Sequence, residues 1–138
     1  MTLERRLTTI LAADVAGYSR LMAEDEQATL RELKERRTAL VDPLMQKYAA
    51  RLIKDMGDGF LAEFSSVVNA VHFSIDLQAA SSSRNDSVAE HRQMLYRIGI
   101  NLSDIIADAN DVYGDGVNIA ARLEGIAEPG GVCISDTV

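Results

Sequence analysis

Residues 52–64, LIKDMGDGFLAEF, predict a β-hairpin, and this hairpin lies at the centre of the predicted fold. Its two short strands flank the turn Gly57-Asp58-Gly59, and Asp-Gly between strands is a strong hairpin signal because both residues tolerate positive φ. Side chains alternate along a strand, so Glu63 would lie on one face and three apolar residues would share the other: Phe60, Ala62 and Phe64. The sequence therefore places Asp58 in a tight turn between two antiparallel strands.

The segment before the hairpin predicts a strand followed by a helix. Residues 8–14 contain Thr, Ile and Leu and end at Asp14, a pattern typical of a strand buried on both faces. From 21 to 49, apolar residues recur at helical spacing, which predicts one long amphipathic helix. Pro43 lies inside it and should kink or split the helix, because proline lacks the backbone donor and clashes with the preceding turn.

The segment after the hairpin predicts two helices and further strands. Ser65 or Ser66 can cap a helix whose inward stripe would be Val68, Val71, Ile75 and Ala79. Four elements are expected beyond it: a strand at 96–102, its hairpin partner at 104–108, a helix at 117–127 and a strand at 132–135.

The predicted order is β-α-β-β-α-β followed by β-α-β, which indicates an α+β fold. Its first six elements match the split βαβ pattern of ferredoxin-like domains, a palm to which a β-α-β unit is added. In that topology the first strand lies antiparallel beside the third. Asp14 at the end of strand one would then meet the start of strand three, next to Asp58.

Length and composition exclude several classes of protein. The 138 residues weigh 15.0 kDa and fit one domain, 1–138. The net charge of -7 argues against a nucleic-acid partner, which basic residues would have to attract. The single Cys133 cannot form an internal disulfide, and no stretch approaches the roughly 20 apolar residues that span a bilayer. We therefore expect a cytoplasmic protein without membrane insertion.

Asp14 and Asp58 form the strongest candidate site. Each aspartate alone has an ordinary structural explanation, since Asp favours turns. Their predicted adjacency changes this, because two neighbouring carboxylates repel and must share a cation or a proton. Such hard oxygen ligands suit Mg²⁺ or Mn²⁺, with a substrate phosphate completing the coordination shell.

A second candidate cluster extends from Asp111 to Arg122. Asn118 and Arg122 are four residues apart on a predicted helix, so their side chains share one face. Together they could hold a hydroxyl and a phosphate, although a solvated helix face explains most such pairs. Lys54, on a predicted edge strand, could likewise discourage aggregation or present a donor to a cleft.

Three segments resemble the catalytic domain of class III nucleotidyl cyclases: 14–19 (DVAGYS), 54–59 (KDMGDG) and 111–122 (DVYGDGVNIAAR). The resemblance extends from about Arg5 to the end of the chain, with the motifs in the family's order. When the residues just before the first motif, Leu11-Ala12-Ala13, are included, the sequence is most similar to the bacterial, rhizobial-type adenylate cyclases.

The resemblance implies roles for seven residues. Asp14, Asp58 and the backbone carbonyl of Val15 would hold two Mg²⁺ or Mn²⁺ ions. Lys54 and Asp111 would read adenine, and the pair does not suit guanine, whose oxygen would face Asp111. A separate pair would act in catalysis, orienting the ribose and steadying charge at the α-phosphate: Asn118 and Arg122.

The implied reaction is an adenylate cyclase reaction, a lyase step that yields a signalling nucleotide. The 3′-hydroxyl of ATP would attack the α-phosphate, giving 3′,5′-cyclic AMP and pyrophosphate. Family members place the metal aspartates on one protomer and the Asn and Arg on the other, so a homodimer with shared sites is implied.

The chain departs from the family pattern in one respect, and two other functions are alternatives to an adenylate cyclase. Family domains continue through a C-terminal hairpin that supplies a basic residue to the triphosphate, whereas this chain ends at Val138. The resemblance therefore implies weak or absent turnover by this chain. One alternative is a non-catalytic dimerisation or nucleotide-binding module. The other is a different two-metal palm enzyme such as a diguanylate cyclase, although its paired glycine and acidic pair are lacking around Asp58.

Overall fold

The computed structural model describes residues 3–108 and 111–138. The first half comprises β1 (Glu4–Val15), α1 (Tyr18–Glu24), α2 (Glu26–Arg36), a π-helical turn (Arg37–Val41), α3 (Asp42–Lys47), β2 (Arg51–Asp55) and β3 (Gly59–Phe64). The second half comprises α4 (Val67–Asn85), a 3₁₀ turn (Glu90–Arg92), β4 (Tyr96–Ala107), β5 (Val112–Tyr113), α5 (Asp115–Ile126) and β6 (Val132–Ile134). The predicted β-α-β-β-α-β, β-α-β order is confirmed.

One sheet carries all these strands in the order β2-β3-β1-β4-β5, with β6 pairing parallel to β4. The other pairings are antiparallel, and β1 lies between β3 and β4 as a ferredoxin-like topology requires. Among the described residues, no helix combines the length and apolar character needed to cross a membrane.

The hairpin around Asp58 is present, but its glycines act differently from the prediction. Gly57 adopts positive φ at +84°, and the turn precedes Gly59, which already belongs to β3. A Cβ on Gly59 would lie 2.2 Å from the carbonyl oxygen of Ala13, so this glycine allows β1 and β3 to approach closely. One glycine therefore makes the turn, and the other brings the turn against β1.

The predicted hairpin partner at 104–108 is wrong. The strand β4 continues to Ala107, and its hairpin partner is β5. The cause is the length of β1, which begins at Glu4 and pairs with β4 over its entire length, from Val15 opposite Tyr96 to Glu4 opposite Ala107.

The predicted long helix is divided at two places instead of one. Asp25 ends α1 and caps α2, accepting a hydrogen bond from the backbone N–H of Ala28 at 3.0 Å. The second division lies at Pro43 as predicted, where the π-helical turn precedes α3 and the N–H of Asp42 reaches back to Arg37. The missing proline donor explains this wider turn.

The predicted inward stripe of α4 is right only at Val71, which packs against the core, and the predicted Ser66 cap is confirmed. Val68 and Ile75 are 61% and 57% exposed. The buried residues instead are Ala70, Phe73, Ser74, Leu77, Ser81 and Asn85. Both sets have helical spacing, and the bulky Phe73 and Leu77 fill the space against the sheet.

The sheet separates two apolar layers. Between the sheet and α1–α4 lies the larger layer, which includes Leu11, Phe60, Phe64, Phe73, Leu77 and Ile98. The helix α5 covers the other face over a smaller layer that includes Ile10, Ala12, Ile105 and Ala120. This second face positions the candidate site, because α5 lies across β1 and β4 there.

Candidate active site

The predicted meeting of Asp14 and Asp58 is present in the structure. Asp14 is the partner of Gly59 in the β1–β3 register, and the N–H of Val15 donates to the carbonyl oxygen of Asp58 at 2.9 Å. Both aspartates are partly buried. Antiparallel pairing thus brings two carboxylates, 44 positions apart in the printed sequence, to one edge of the sheet.

The two carboxylates influence one another electrostatically. Burial and the negative charge of Asp14 raise the pKa of Asp58. The ionised form of Asp58 is thus less stable here than in water, and a positive charge brought close to it would stabilise that form. The pair therefore favours binding of a cation.

Arg97 supplies positive charge to Asp14 in this structure. Its Nε donates to Asp14 Oδ1 at 2.9 Å, and its Nη2 donates to Asp14 Oδ2 at 2.6 Å. This is the bidentate geometry in which an arginine fork binds a carboxylate most strongly. The sequence interpretation missed Arg97, although a signal was present: an arginine interrupts the apolar start of β4, where it pairs with Asp14 in register.

Glu124 on α5 is a third carboxylate at this edge. Its Oε2 lies 3.7 Å from Arg97 Nη2, and its side chain is 14% exposed. Burial and the negative charge of Asp14 raise the pKa of Glu124 to about 7. It was also missed, because its position depends on how α5 crosses the sheet.

The donor set at this edge fits Mg²⁺ or Mn²⁺. Asp14 and Asp58 offer hard carboxylate oxygens, and Val15, which directly follows Asp14, has a backbone carbonyl that could add a third. Within the described residues, no three His, Cys, Asp or Glu side chains are arranged to hold one metal ion together, so Glu124 does not complete a three-carboxylate site with the two aspartates. Two carboxylates would leave coordination positions for water and phosphate oxygens, which is the usual pattern for Mg²⁺.

Lys54 and Asp111 lie together although 57 positions separate them in the sequence. The Lys54 Nζ is 3.9 Å from Asp111 Oδ2, and their side chains are 53% and 30% exposed. A donor and an acceptor side by side in an accessible place can recognise the polar edge of a ligand such as a base.

Asn118 and Arg122 occupy the exposed side of α5. Ala120 and Glu124 of the same helix face the sheet, where Gly99 contacts their backbone. At 100° per residue, Arg122 points roughly 200° around the helix from Glu124, and therefore away from Asp14 of its own chain. Asn118 and Arg122 share a face, as predicted, but that face does not point into the carboxylate cluster.

Comparisons with known proteins identify the family of this chain. The family model for the adenylate and guanylate cyclase catalytic domain matches residues 4–138. A protein of Rhizobium meliloti (strain 1021) named "Putative adenylate cyclase 3" is 47% identical over 137 residues, which are 99% of this chain and 23% of that protein. An adenylate cyclase of Streptomyces griseus is 30% identical over 122 residues, covering 88% of this chain and 29% of that protein.

The structural comparison identifies the same fold. A crystal structure described as an adenylate/guanylate cyclase/hydrolase from Silicibacter pomeroyi superposes with a TM-score of 0.92 at 43% identity, covering 99% of this chain and 79% of that one. The chain spans less than a third of the two curated relatives, 23% and 29% of their lengths. Since the family model covers nearly every residue of the chain, the protein belongs to the family of adenylate and guanylate cyclase catalytic domains.

Proposed function

We propose that the chain is an adenylate cyclase catalytic domain that converts ATP to 3′,5′-cyclic AMP and pyrophosphate at sites shared between two copies. The observation that carries the proposal is the pair Asp14 and Asp58 at one sheet edge, where the N–H of Val15 donates to the carbonyl oxygen of Asp58. In the reaction, the 3′-hydroxyl gives up its proton to solvent and the 3′-oxygen bonds to the α-phosphorus. The bond from that phosphorus to the oxygen that bridges to the β-phosphorus breaks, and pyrophosphate leaves.

Asp14, Asp58 and the Val15 carbonyl would hold two divalent ions. When bound, Mg²⁺ or Mn²⁺ supplies the charge that lowers the pKa of the 3′-hydroxyl and neutralises the triphosphate. Arg97 would add donors for phosphate oxygens at the same edge, since its guanidinium already lies against Asp14. An acidic chain of net charge -7 can thereby accept a polyanion.

Lys54 and Asp111 would select the base. Lysine would donate to a ring nitrogen of adenine, and aspartate would accept from the exocyclic amine. Guanine carries an oxygen at the corresponding position, which would face the carboxylate of Asp111 and be repelled. The 3.9 Å separation of the two side chains supports a joint role.

Asn118 and Arg122 would act on the nucleotide held by the partner copy. Because they point away from Asp14 of their own chain, they can complete a site only if a second copy presents its own Asp14 and Asp58. Asn118 would orient the ribose, and Arg122 would stabilise charge at the α-phosphate. A two-fold homodimer makes both contributions simultaneously and yields two equivalent sites.

The decisive experiment measures nucleotide products of the purified chain with Mn²⁺ and either ATP or GTP. We expect slow formation of cyclic AMP from ATP, and loss of that product in Asp14→Asn. Binding of ATP without any cyclic product would favour a nucleotide-binding module instead. Cyclic GMP as the main product would contradict the proposed base recognition while leaving the cyclase chemistry intact.

A further inference from the structure

Arg97 lies between two carboxylates that belong to different elements. Its Nη2 is 2.6 Å from Asp14 Oδ2 on β1 and 3.7 Å from Glu124 Oε2 on α5. Its Nη1 donates to the carbonyl oxygen of Gly125 at 3.4 Å, so the end of α5 already offers two acceptors. A shift of about 1 Å would bring Nη2 to hydrogen-bond distance from Glu124.

The contact between Arg97 and Asp14 occupies both carboxylate oxygens that a cation would use. A divalent ion at Asp14 must therefore compete with the guanidinium, and it would also repel it. Asp14 and Arg97 are 18% and 29% exposed, so a displaced guanidinium would give up two charge-assisted hydrogen bonds that water at this edge replaces only in part. The exchange needs a second acceptor close by.

We propose that Glu124 is the positioning residue that receives the Arg97 guanidinium when a divalent cation binds Asp14. The inference rests on the proposed metal site of Asp14 and Asp58. In the cation-free protein Arg97 substitutes for the ion, and in the loaded protein it is retained at the site by α5. Arg97 thus sets how tightly the ion binds, and Glu124 lowers the cost of the exchange.

The test is a double-mutant cycle on Mn²⁺ affinity in nucleotide-free protein, measured from the electron paramagnetic resonance signal of free Mn²⁺. Glu124→Gln should weaken Mn²⁺ binding about tenfold, as loss of a group supporting metal ligands typically does. Arg97→Gln alone should tighten it, because no guanidinium must be displaced. In the Arg97→Gln background, Glu124→Gln should then change the affinity less than twofold.

Two matched controls accompany the cycle. Glu128→Gln removes the same charge from an exposed position just after α5 and should leave Mn²⁺ affinity unchanged. Asp14→Asn should abolish the binding, which verifies that the titrated ion occupies this edge. Thermal unfolding of every variant identifies any that is misfolded. In that case Glu124→Asp replaces Glu124→Gln, and Arg97→Lys replaces Arg97→Gln.

Several outcomes would overturn the inference. An equal loss from Glu124→Gln in both backgrounds would mean that Glu124 acts directly on the ion, and no loss in either would mean that it has no part in binding. Binding that survives Asp14→Asn would overturn the metal site and the inference together. If the protein makes cyclic AMP but the effects of Glu124→Gln and Arg97→Gln on Mn²⁺ affinity are independent, only the inference is overturned. If the two effects depend on each other but no cyclic product forms, only the proposed reaction is overturned.

Discussion

Gly99 in β4 lies directly beneath Glu124 in α5, and the fit leaves no room for a side chain between them. A Cβ on Gly99 would be 2.3 Å from the backbone nitrogen of Glu124 and 2.4 Å from the carbonyl oxygen of Ala120. This close approach of helix and strand brings Glu124 to Arg97 and Asp14. The shape of the candidate site therefore depends on the smallest residue in β4.

Gly99→Ala should both destabilise the protein and damage the site. The added methyl group must push α5 off the sheet, which typically costs about 1–3 kcal/mol in a packed core. Mn²⁺ binding should weaken because Glu124 moves away from Arg97. The matched control is Gly125→Ala in α5 itself, where a Cβ would meet nothing within 4 Å. Urea unfolding of the two variants should differ clearly, and equal stabilities would contradict the close packing.

Glu63 should make stability depend on acid pH. Burial acts to raise its pKa, but hydrogen bonds from Arg6 at 2.8 Å and Arg51 at 2.8 and 3.1 Å outweigh this and lower the pKa to about 2. The residue is 7% exposed. Because its folded pKa lies below the ordinary value, its contribution of about 3 kcal/mol is present above about pH 4.5 and disappears towards pH 2.

The measurement is the free energy of unfolding of wild type and Glu63→Gln between pH 7 and pH 2.5. The two curves should be separated by about 2–3 kcal/mol at neutral pH and should converge in acid. Glu128→Gln, at an exposed position, should track the wild type throughout. A separation that stays constant with pH would show that the ion pairs do not carry the effect.

The preference for ATP over GTP should shift towards GTP when the hydrogen-bonding character of Lys54 and Asp111 is changed. Lys54→Glu with Asp111→Cys replaces the donor by an acceptor and removes the carboxylate that would repel the guanine oxygen. We expect the ratio of kcat/KM for ATP over GTP to fall by at least tenfold. An unchanged ratio would mean that these side chains, although 3.9 Å apart, do not contact the base.

Arg122 should be essential for rate and dispensable for folding. It is exposed on α5, so Arg122→Ala should leave thermal unfolding unchanged. If it stabilises charge in the transition state as an arginine finger does, kcat should fall about 10³-fold or more. A loss of only a few-fold, with the change confined to KM, would make Arg122 a binding residue.

Shared sites predict recovery of activity on mixing two inactive variants. An Asp14→Asn copy and an Arg122→Ala copy together form one intact site, since the intact aspartate comes from one and the intact arginine from the other. Random assortment of equal amounts should restore about a quarter of the wild-type rate. Absence of any recovery, with dimers detected by sedimentation, would show that each site is built within one chain.

Several features of this protein could be predicted from the sequence because they depend on local pattern. Alternation in 52–64 predicts the hairpin, the order of elements predicts β1 beside β3, and antiparallel pairing then brings Asp14 to Asp58. The motifs around these residues also indicate the cyclase family that the comparisons confirm. Each inference uses a short segment or a topology with few alternatives.

Other features depend on long-range packing, because the local pattern allows two equally good alternatives. Two faces of α4 have helical spacing, and the space beneath Phe73 and Leu77 determines which is buried. The length of β4 follows from its pairing with β1, and Glu124 reaches Arg97 only because α5 settles onto Gly99. Helical and strand periods are properties of neighbouring residues, whereas these contacts depend on the shapes of segments far apart in the chain.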